Sequence, residues 1–337
     1  MNAQPKIIKL AAHFPGVSDS TCYYRGSAPY GDLVLKNNHM SMDIISDFQH
    51  FYGDLFNIVF LQRPFTPAHL EGMKIAKLNG LPVIIDYDDD LLSVDTSNPA
   101  WAHYGRQDVK ETIKAIMYMA DAITCTGSEL ARVIEVYNKN VHVIPNAIKD
   151  KFLDFHTTDY DHPKKPIVCW RGGSSHERDL LNHSGAIKSA ISDFKEWSWV
   201  FRGFRSWQIM EGQDPERVKF EDWKPVAAYM REIISQEASL FVVPLDDNRF
   251  NHSKSPVAWL EASFAGAACL APNWEAWRFP GVINYDNDAD FQVKLNDCLS
   301  GKINLMDAAR ISWDYIQNNM LLSKVNGKRL EIIKSLI

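Results

Sequence analysis

The sequence predicts an α/β protein built from two doubly wound parallel-sheet units in tandem, and three observations carry that expectation. Short apolar runs of strand character alternate with amphipathic helical patterns, as in a parallel sheet covered on both faces. The alternation stops near Ile148, crosses a charged and aromatic stretch, and starts again at Ile167. The chain has 337 residues, long for a single core and natural for two domains of about 150 residues each.

In the first half the candidate strands are Ile7–Ala12, Ile58–Gln62, Val83–Asp86, Ala122–Thr126 and Val141–Ile144. Each is a short apolar run bounded by polar or turn residues. Helical spacing of apolar residues fills the gaps, most clearly over Thr66–Asn79 and Asp108–Met119. The following stretch is rich in charge and aromatic rings and ends on Pro163 and Pro166, which marks residues 151–165 as a linker. The second set of strands reads Ile167–Trp170, Trp199–Arg202, Val218–Phe220, Leu240–Pro244, Ala268–Ala271 and Val282–Tyr285. The expected organisation is a first unit over residues 1–150, a second over 166–306, and a helical segment over 307–337 with Ile311, Ile316, Met320 and Leu321 on its apolar side. Asp314 and Glu331 interrupt its few basic residues, which disfavours a membrane-surface helix. Two such units direct their strand ends, and so their ligand sites, toward a shared crevice.

Composition narrows the functional classes. With 46% hydrophobic and 23% charged residues the chain is of ordinary globular type. No run approaches the roughly 18 apolar residues that cross a bilayer and no signal for export is visible, so a cytoplasmic protein without stable membrane insertion is expected. The five cysteines, Cys22, Cys125, Cys169, Cys269 and Cys298, are scattered without metal-ligand spacing and read as reduced, buried small hydrophobes. A net charge of −6 argues against a broad nucleic-acid-binding surface while leaving room for a local basic cleft.

The chemistry concentrates between Asp246 and Pro272. Lys254 and Ser255 are expected to open a helix carrying Pro256 in its first turn, where an amide donor is not needed. The free amides and the positive end of such a helix, beside a lysine, suit a polyanion. Glu261 follows about two turns on, within reach of the sugar hydroxyls of the same ligand. Taken alone, the helix reads equally well as a capped surface element. The run Cys169–Asp179 adds a loop with Gly172 and Gly173, whose backbone can approach a phosphate closely, and donors on Arg171, His176 and Arg178. Ile144–Ile148 holds a proline that fixes the chain leaving the sheet and an asparagine, Asn146, suited to satisfying turn amides. Ser128 is the expected cap of the helix after Ala122–Thr126. In the N-terminal run Ser18–Pro29, Arg25 and Gly26 are candidates for cleft contacts, and in the separate stretch Ser97–Gly105 His103 is another, though a lone histidine there is more often structural. The run Trp199–Trp207 is read as buried aromatics around a strand or, alternatively, as a base-stacking surface.

These residues resemble the GT-B fold, retaining nucleotide-sugar glycosyltransferases, in particular glycosyltransferase family 4 and its short microbial and phage relatives. The likeness rests on Phe250, Asn251, Lys254, Ser255 and Glu261 with the following Ala265–Leu270, on Ile144–Ile148, and on Ala120–Ala131. Many members carry two glutamates eight positions apart, and here the first of those positions is Ser253. The resemblance implies transfer of a sugar, with retained configuration, from a nucleoside diphosphate sugar as co-substrate, with no further cofactor and no metal. It places the Gly172–Gly173 loop opposite Lys254 across the donor diphosphate, with His176, Arg178, Asn251, Ser255 and Glu261 on the donor. Lys254 and Arg171 would neutralise the leaving diphosphate, Arg25 and Gly26 would contact the acceptor or the phosphate, and the closing helix would cross back onto the first unit. The acceptor stays open among a glycan, a protein and a hydroxymethylated DNA base.

Asp86–Asp90 also matches, superficially, the metal-binding Asp-x-Asp of the other large glycosyltransferase fold. Asp88 and Asp89 have three readings: orienting a catalytic group or acceptor hydroxyl, ligating a metal, or lying as solvated loop carboxylates. A non-catalytic nucleotide-sugar or glycan binding protein and a sugar-phosphate epimerase on the same fold are the alternatives to transfer.

Overall fold

The computed structural model describes residues 6–16, 20–46, 48, 55–156, 160 and 164–337. Part of the expected linker, with Pro163, and Ser18 and Asp19 of the N-terminal run lie outside the described residues.

Two six-stranded sheets form the framework. The first contains β1 (Ile8–His13), β2 (Met40–Ile44), β3 (Ile58–Gln62), β4 (Val83–Tyr87), β5 (Ala122–Cys125) and β6 (Val141–Val143), in the order β2-β1-β3-β4-β5-β6. The second contains β7 (Lys165–Gly172), β8 (Ser198–Gly203), β9 (Val218–Glu221), β10 (Ala238–Val242), β11 (Ala268–Pro272) and β12 (Val282–Tyr285), in the order β12-β11-β10-β7-β8-β9. Among the described residues every strand pairing is parallel. The central strands are apolar throughout because both faces are covered: all five residues of β3, of β4 and of β11 are buried. The edge strand β2 was not expected. Its residues Met40–Ile44 alternate polar and apolar, and only Met40 is buried, so it lacks the continuous apolar run that marks its neighbours.

In the first unit, the helices are α1 (Ser20–Cys22), α2 (Ala28–Lys36), α3 (Pro67–Leu78), α4 (Trp101–Tyr104), α5 (Gln107–Met119) and α6 (Ser128–Ile134). A π-helical turn, Tyr23–Ser27, joins α1 to α2. Thr66 and His69 form a reciprocal capping box that starts α3, with Pro67 in its first turn. Ser128 is not a cap. Gly127 holds that position, and the Ser128 hydroxyl is bonded instead to Glu275 of the second unit.

The second unit carries α7 (Glu177–Asn182), α8 (Ser184–Asp193), α9 (Trp207–Met210), α10 (Val226–Gln236), α11 (Arg249–His252), α12 (Val257–Phe264), α13 (Asp288–Leu299) and α14 (Leu305–Asn319). Helix α12 is apolar nearly all round, and seven of its eight residues are buried between its sheet and α14. Trp199 and Phe201 are buried in the same unit, while Trp207 is exposed with Arg205 stacked on it at 4.3 Å. All five cysteines are buried thiols. Ile311 departs from its expected core role: it is exposed on α14, which buries Ala309, Ser312, Trp313 and Ile316.

The last helix, α15 (Leu322–Leu336), lies on the first unit. Its Leu322, Val325, Ile332 and Ile333 join the core of Ile8, Leu10 and Ile58, each fully buried large side chain contributing about 1.5–3 kcal/mol. Ile148 pairs with Leu321 in a short parallel bridge as the chain crosses over. Among the described residues no helix is long and apolar enough to cross a membrane.

Candidate functional site

A parallel sheet opens a crevice where its strand order reverses, because the loops leaving the two flanking strands diverge there. In the second sheet that point lies between β7 and β10, and in the first between β1 and β3. The two points meet in one cavity of about 320 Å³. From the second unit it is lined by Arg171, Gly172 and Gly173 at the end of β7, by Val243–Leu245 after β10, and by Lys254, Ser255 and Val257 before and at the start of α12. From the first unit come Arg25, Arg63, Asp88, Asp89 and Asn146. A second cavity of about 390 Å³ continues it over the ends of β8 and β9, sharing Ser20, Arg171, Gly172 and Gly173 and adding Gly203, Trp223 and Tyr229.

Lys254 and Ser255 precede α12 rather than opening it: Pro256 is the N-cap and Val257 the first helical residue. The polar stretch before them is not wholly irregular, since Asn248 caps the short α11. Three successive residues here reach the first unit. The Ser253 hydroxyl accepts from the Asp90 amide at 3.2 Å, Lys254 Nζ stands 3.5 Å from Asp89 Oδ1, and the Ser255 hydroxyl accepts from Asn146 Nδ2 at 2.9 Å. Asn146 therefore spans the units rather than capping its own turn, and its carbonyl oxygen accepts from Arg25 at 3.2 Å.

Glu261 is buried, and its carboxylate accepts from Tyr24 Oη at 2.9 Å and Tyr229 Oη at 3.0 Å, with Arg171 Nε at 2.6 Å. Burial, and then the Glu261 charge, push both tyrosine hydroxyls well above their usual range, so they stay protonated donors. Burial disfavours the Arg171 cation, but Glu261 together with the neighbouring Tyr229 and Tyr24 outweighs it and holds the guanidinium charged.

The acidic run divides by partner. Asp86 takes Arg25 in a buried fork, with Nε to Oδ1 at 3.0 Å and Nη2 to Oδ2 at 2.7 Å, while Arg25 Nη1 also donates to the Ile144 carbonyl. Arg63 donates to Asp88 at 2.8 and 2.6 Å and to Asp89 at 2.9 Å. Arg63 has a left-handed φ of +48° at the end of β3, an uncommon conformation for a non-glycine residue and one found at functional sites. Burial raises the Asp88 carboxyl despite Arg63, whereas at Asp89 Lys254 and Arg63 overcome burial and lower it. Asp90 turns away to receive the Leu92 amide and the Ser93 hydroxyl. Burial, then Lys254, lower the pKa of His176, which keeps it neutral near neutrality beside Asp179 at 2.8 Å. Among the described residues no group of three or more His, Cys, Asp or Glu is placed to hold a metal ion.

The structure thus brings Lys254, Ser255, Arg171, Gly172, Gly173, His176, Asp88, Asp89 and Arg25 around one space, with Glu261 in the adjoining one. Four other candidates do not line either cavity. Gly26 is packed inside the helical turn against Phe14 and Gln62. His103 is exposed on α4. Asn251 is buried and spends its amide on Asp179 and the Asp246 carbonyl. Arg178 points away, donating to Ser97 at 2.6 Å and standing 3.5 Å from Asp246. Sequence reading missed Arg63, Tyr24 and Tyr229. Arg63 carried a usable signal, since it directly follows an apolar strand; the tyrosines carried none.

No family profile matches the sequence, and no curated protein matches it. Solved structures do. An alpha-glucosyltransferase in complex with UDP-glucose and DNA containing an abasic site superposes with a TM-score of 0.67 at 11% identity, covering 98% of this chain and 100% of that one. Anabaena Alr3699/HepE in complex with UDP and glucose gives 0.65 at 12% identity, over 97% and 100% of the two chains. A mutant of S. aureus TarM in complex with Fondaparinux, alpha-GlcNAc-glycerol and UDP gives 0.61 at 12% identity, covering 84% of this chain and 56% of that one. The architecture is the GT-B fold, two Rossmann-like units facing a cleft. That fold, and not the single-sheet alternative with an Asp-x-Asp metal site, accounts for both halves of the chain.

Proposed function

We propose that the protein is a retaining glycosyltransferase that moves a sugar from a nucleoside diphosphate donor to an acceptor hydroxyl. The observation that carries this reading is the pairing of two continuous cavities with the switch point of the second sheet. The nucleoside fits the cavity over β8 and β9, the diphosphate the Gly172–Gly173 turn facing Lys254 and the start of α12, and the sugar the space toward Asp88 and Asp89. Two tyrosine hydroxyls already donate to Glu261, with the Arg171 guanidinium beside it as an ion pair; with about four lone-pair positions the carboxylate can still accept a ribose hydroxyl.

On this reading the leaving diphosphate gathers negative charge as the glycosidic bond breaks, and Lys254 and Arg171 are in place to stabilise it. The front face of the sugar is left to the acceptor, whose proton passes to the departing phosphate oxygen. Contacts of the residue 253–255 loop with the first unit keep water out while the donor is activated. UDP is the nucleotide to test first, because the alpha-glucosyltransferase structure is a complex with UDP-glucose and the HepE structure a complex with UDP and glucose. The acceptor is a glycan, a protein or a hydroxymethylated DNA base, entering from the first unit's side.

Incubation with UDP-sugars, scored for slow release of UDP without acceptor, tests transfer against mere binding. Lys254→Ala is expected to abolish turnover, by about two orders of magnitude or more, with unchanged thermal stability; near-normal release would remove this function. An activity that interconverts UDP-sugars without releasing UDP would instead favour an epimerase.

A further inference from the structure

The cleft itself supplies an anion for the lysine that the proposed reaction assigns to phosphate. Lys254 is 12% exposed and has Asp89 Oδ1 at 3.5 Å, beyond the usual range of a good hydrogen bond, with the Phe250 ring 4.3 Å from its ammonium. Asp89 has a better partner on its other oxygen, Arg63 Nη2 at 2.9 Å. The local charges balance: Asp88 and Asp89 face Arg63 and Lys254. Asp89 belongs to the first unit and Lys254 to the second, so this contact is an ion pair across the cleft.

We propose that Asp89 is a positioning residue for Lys254, holding the ammonium across the cleft and yielding it to the diphosphate of the incoming donor. The geometry suits an exchange. Lys254 gives up one long contact for two or more charged phosphate oxygens, and Asp89 falls back on Arg63 rather than being stranded. Ser253 and Ser255 hold the loop to Asp90 and Asn146 throughout, so the ammonium can change partner without the loop leaving the first unit. Donor binding then uncovers the Asp89 carboxylate on the acceptor side, and occupancy of one unit's ligand alters the surface offered by the other.

This inference rests on the diphosphate site assigned above, and a double-mutant cycle on UDP binding separates the two. Calorimetric titration with UDP is made on the wild type, Lys254→Ala, Asp89→Asn and the double variant. Lys254→Ala is expected to weaken UDP about ten-fold or more; unchanged affinity would dismiss the phosphate site itself. Asp89→Asn, which keeps shape and an acceptor for Arg63, is expected to tighten UDP about five-fold where Lys254 is present and by less than about two-fold where it is absent. No tightening, or the same tightening without the lysine, would overturn the exchange and reduce Asp89 to a structural or generally repulsive group. Asp89→Ser run through the same cycle guards against a folding defect of the asparagine variant.

Discussion

Gly203, at the end of β8, has a φ of +90°, and a Cβ built there would stand 2.6 Å from the Gly172 carbonyl oxygen. The backbone floor of the cavity assigned to the nucleoside therefore presses directly on the turn assigned to phosphate. Gly203→Ala carries two penalties, a left-handed conformation and displacement of Gly172, together about 1–3 kcal/mol. The expected outcome is a lowered melting temperature with UDP affinity falling by a larger factor than in a stability-matched core variant such as Ile187→Val. Equal effects of the two on UDP binding would detach Gly203 from the site. At this scale the residues legible in the sequence were those with a chemical signature in a local pattern: Lys254 before a helix, Gly172 and Gly173 after a strand. Tyr24 and Tyr229 meet on Glu261 from positions 237 and 32 residues away, and nothing local marks such a convergence. Arg178 and Asn251 fit the same local patterns yet pair with Ser97 and Asp179, because a pattern places a residue on an element without fixing where its side chain turns.

Helix α3 shows how an element carries a pH response. Its capping box uses His69: the Thr66 hydroxyl accepts from the His69 amide at 3.3 Å, and His69 Nδ1 accepts from the Thr66 amide at 3.1 Å. Burial, and then neighbouring His13, lower the His69 pKa from the usual 6.5 to about 4. A histidine whose pKa falls on folding binds fewer protons in the native state, so its contribution is complete above pH 6.5 and is lost as the pH falls toward about 4. His156 has the same sign, lowered to about 4 by burial. His69→Gln keeps an N3 acceptor for the capping box without a titrating group. Melting curves across that acid window are expected to show a shallower loss for His69→Gln than for the wild type, by about 1–2 kcal/mol. Identical slopes would mean that His69 does not titrate with folding. The element scale was the most legible one. Buried central strands read as continuous apolar runs, whereas edge strand β2, with one buried residue, did not. Helix α12 starts two to three residues later than the pattern predicts because Pro256, favoured inside a first turn, serves here as the N-cap.

Across the molecule, the two units are joined by the crossing of α15 onto the first unit and by the residue 253–255 loop. The doubly wound repeat was visible because each sheet writes its strands locally. The closure of the two units was not, since the bonds that make it, Asn146 to Ser255 and Tyr24 to Glu261, join residues 109 and 237 positions apart. The acidic run Asp86–Asp90 illustrates the same limit: read locally it suggests a metal, but in the folded chain Arg25 and Arg63, from other elements, take Asp86, Asp88 and Asp89. A crystal structure of the protein with UDP tests the assigned site most directly. The diphosphate is expected between the Gly172–Gly173 turn and Lys254, with the base over the ends of β8 and β9. UDP bound elsewhere, or in this cleft with its phosphates turned away from Lys254 and from that turn, would contradict the assignment.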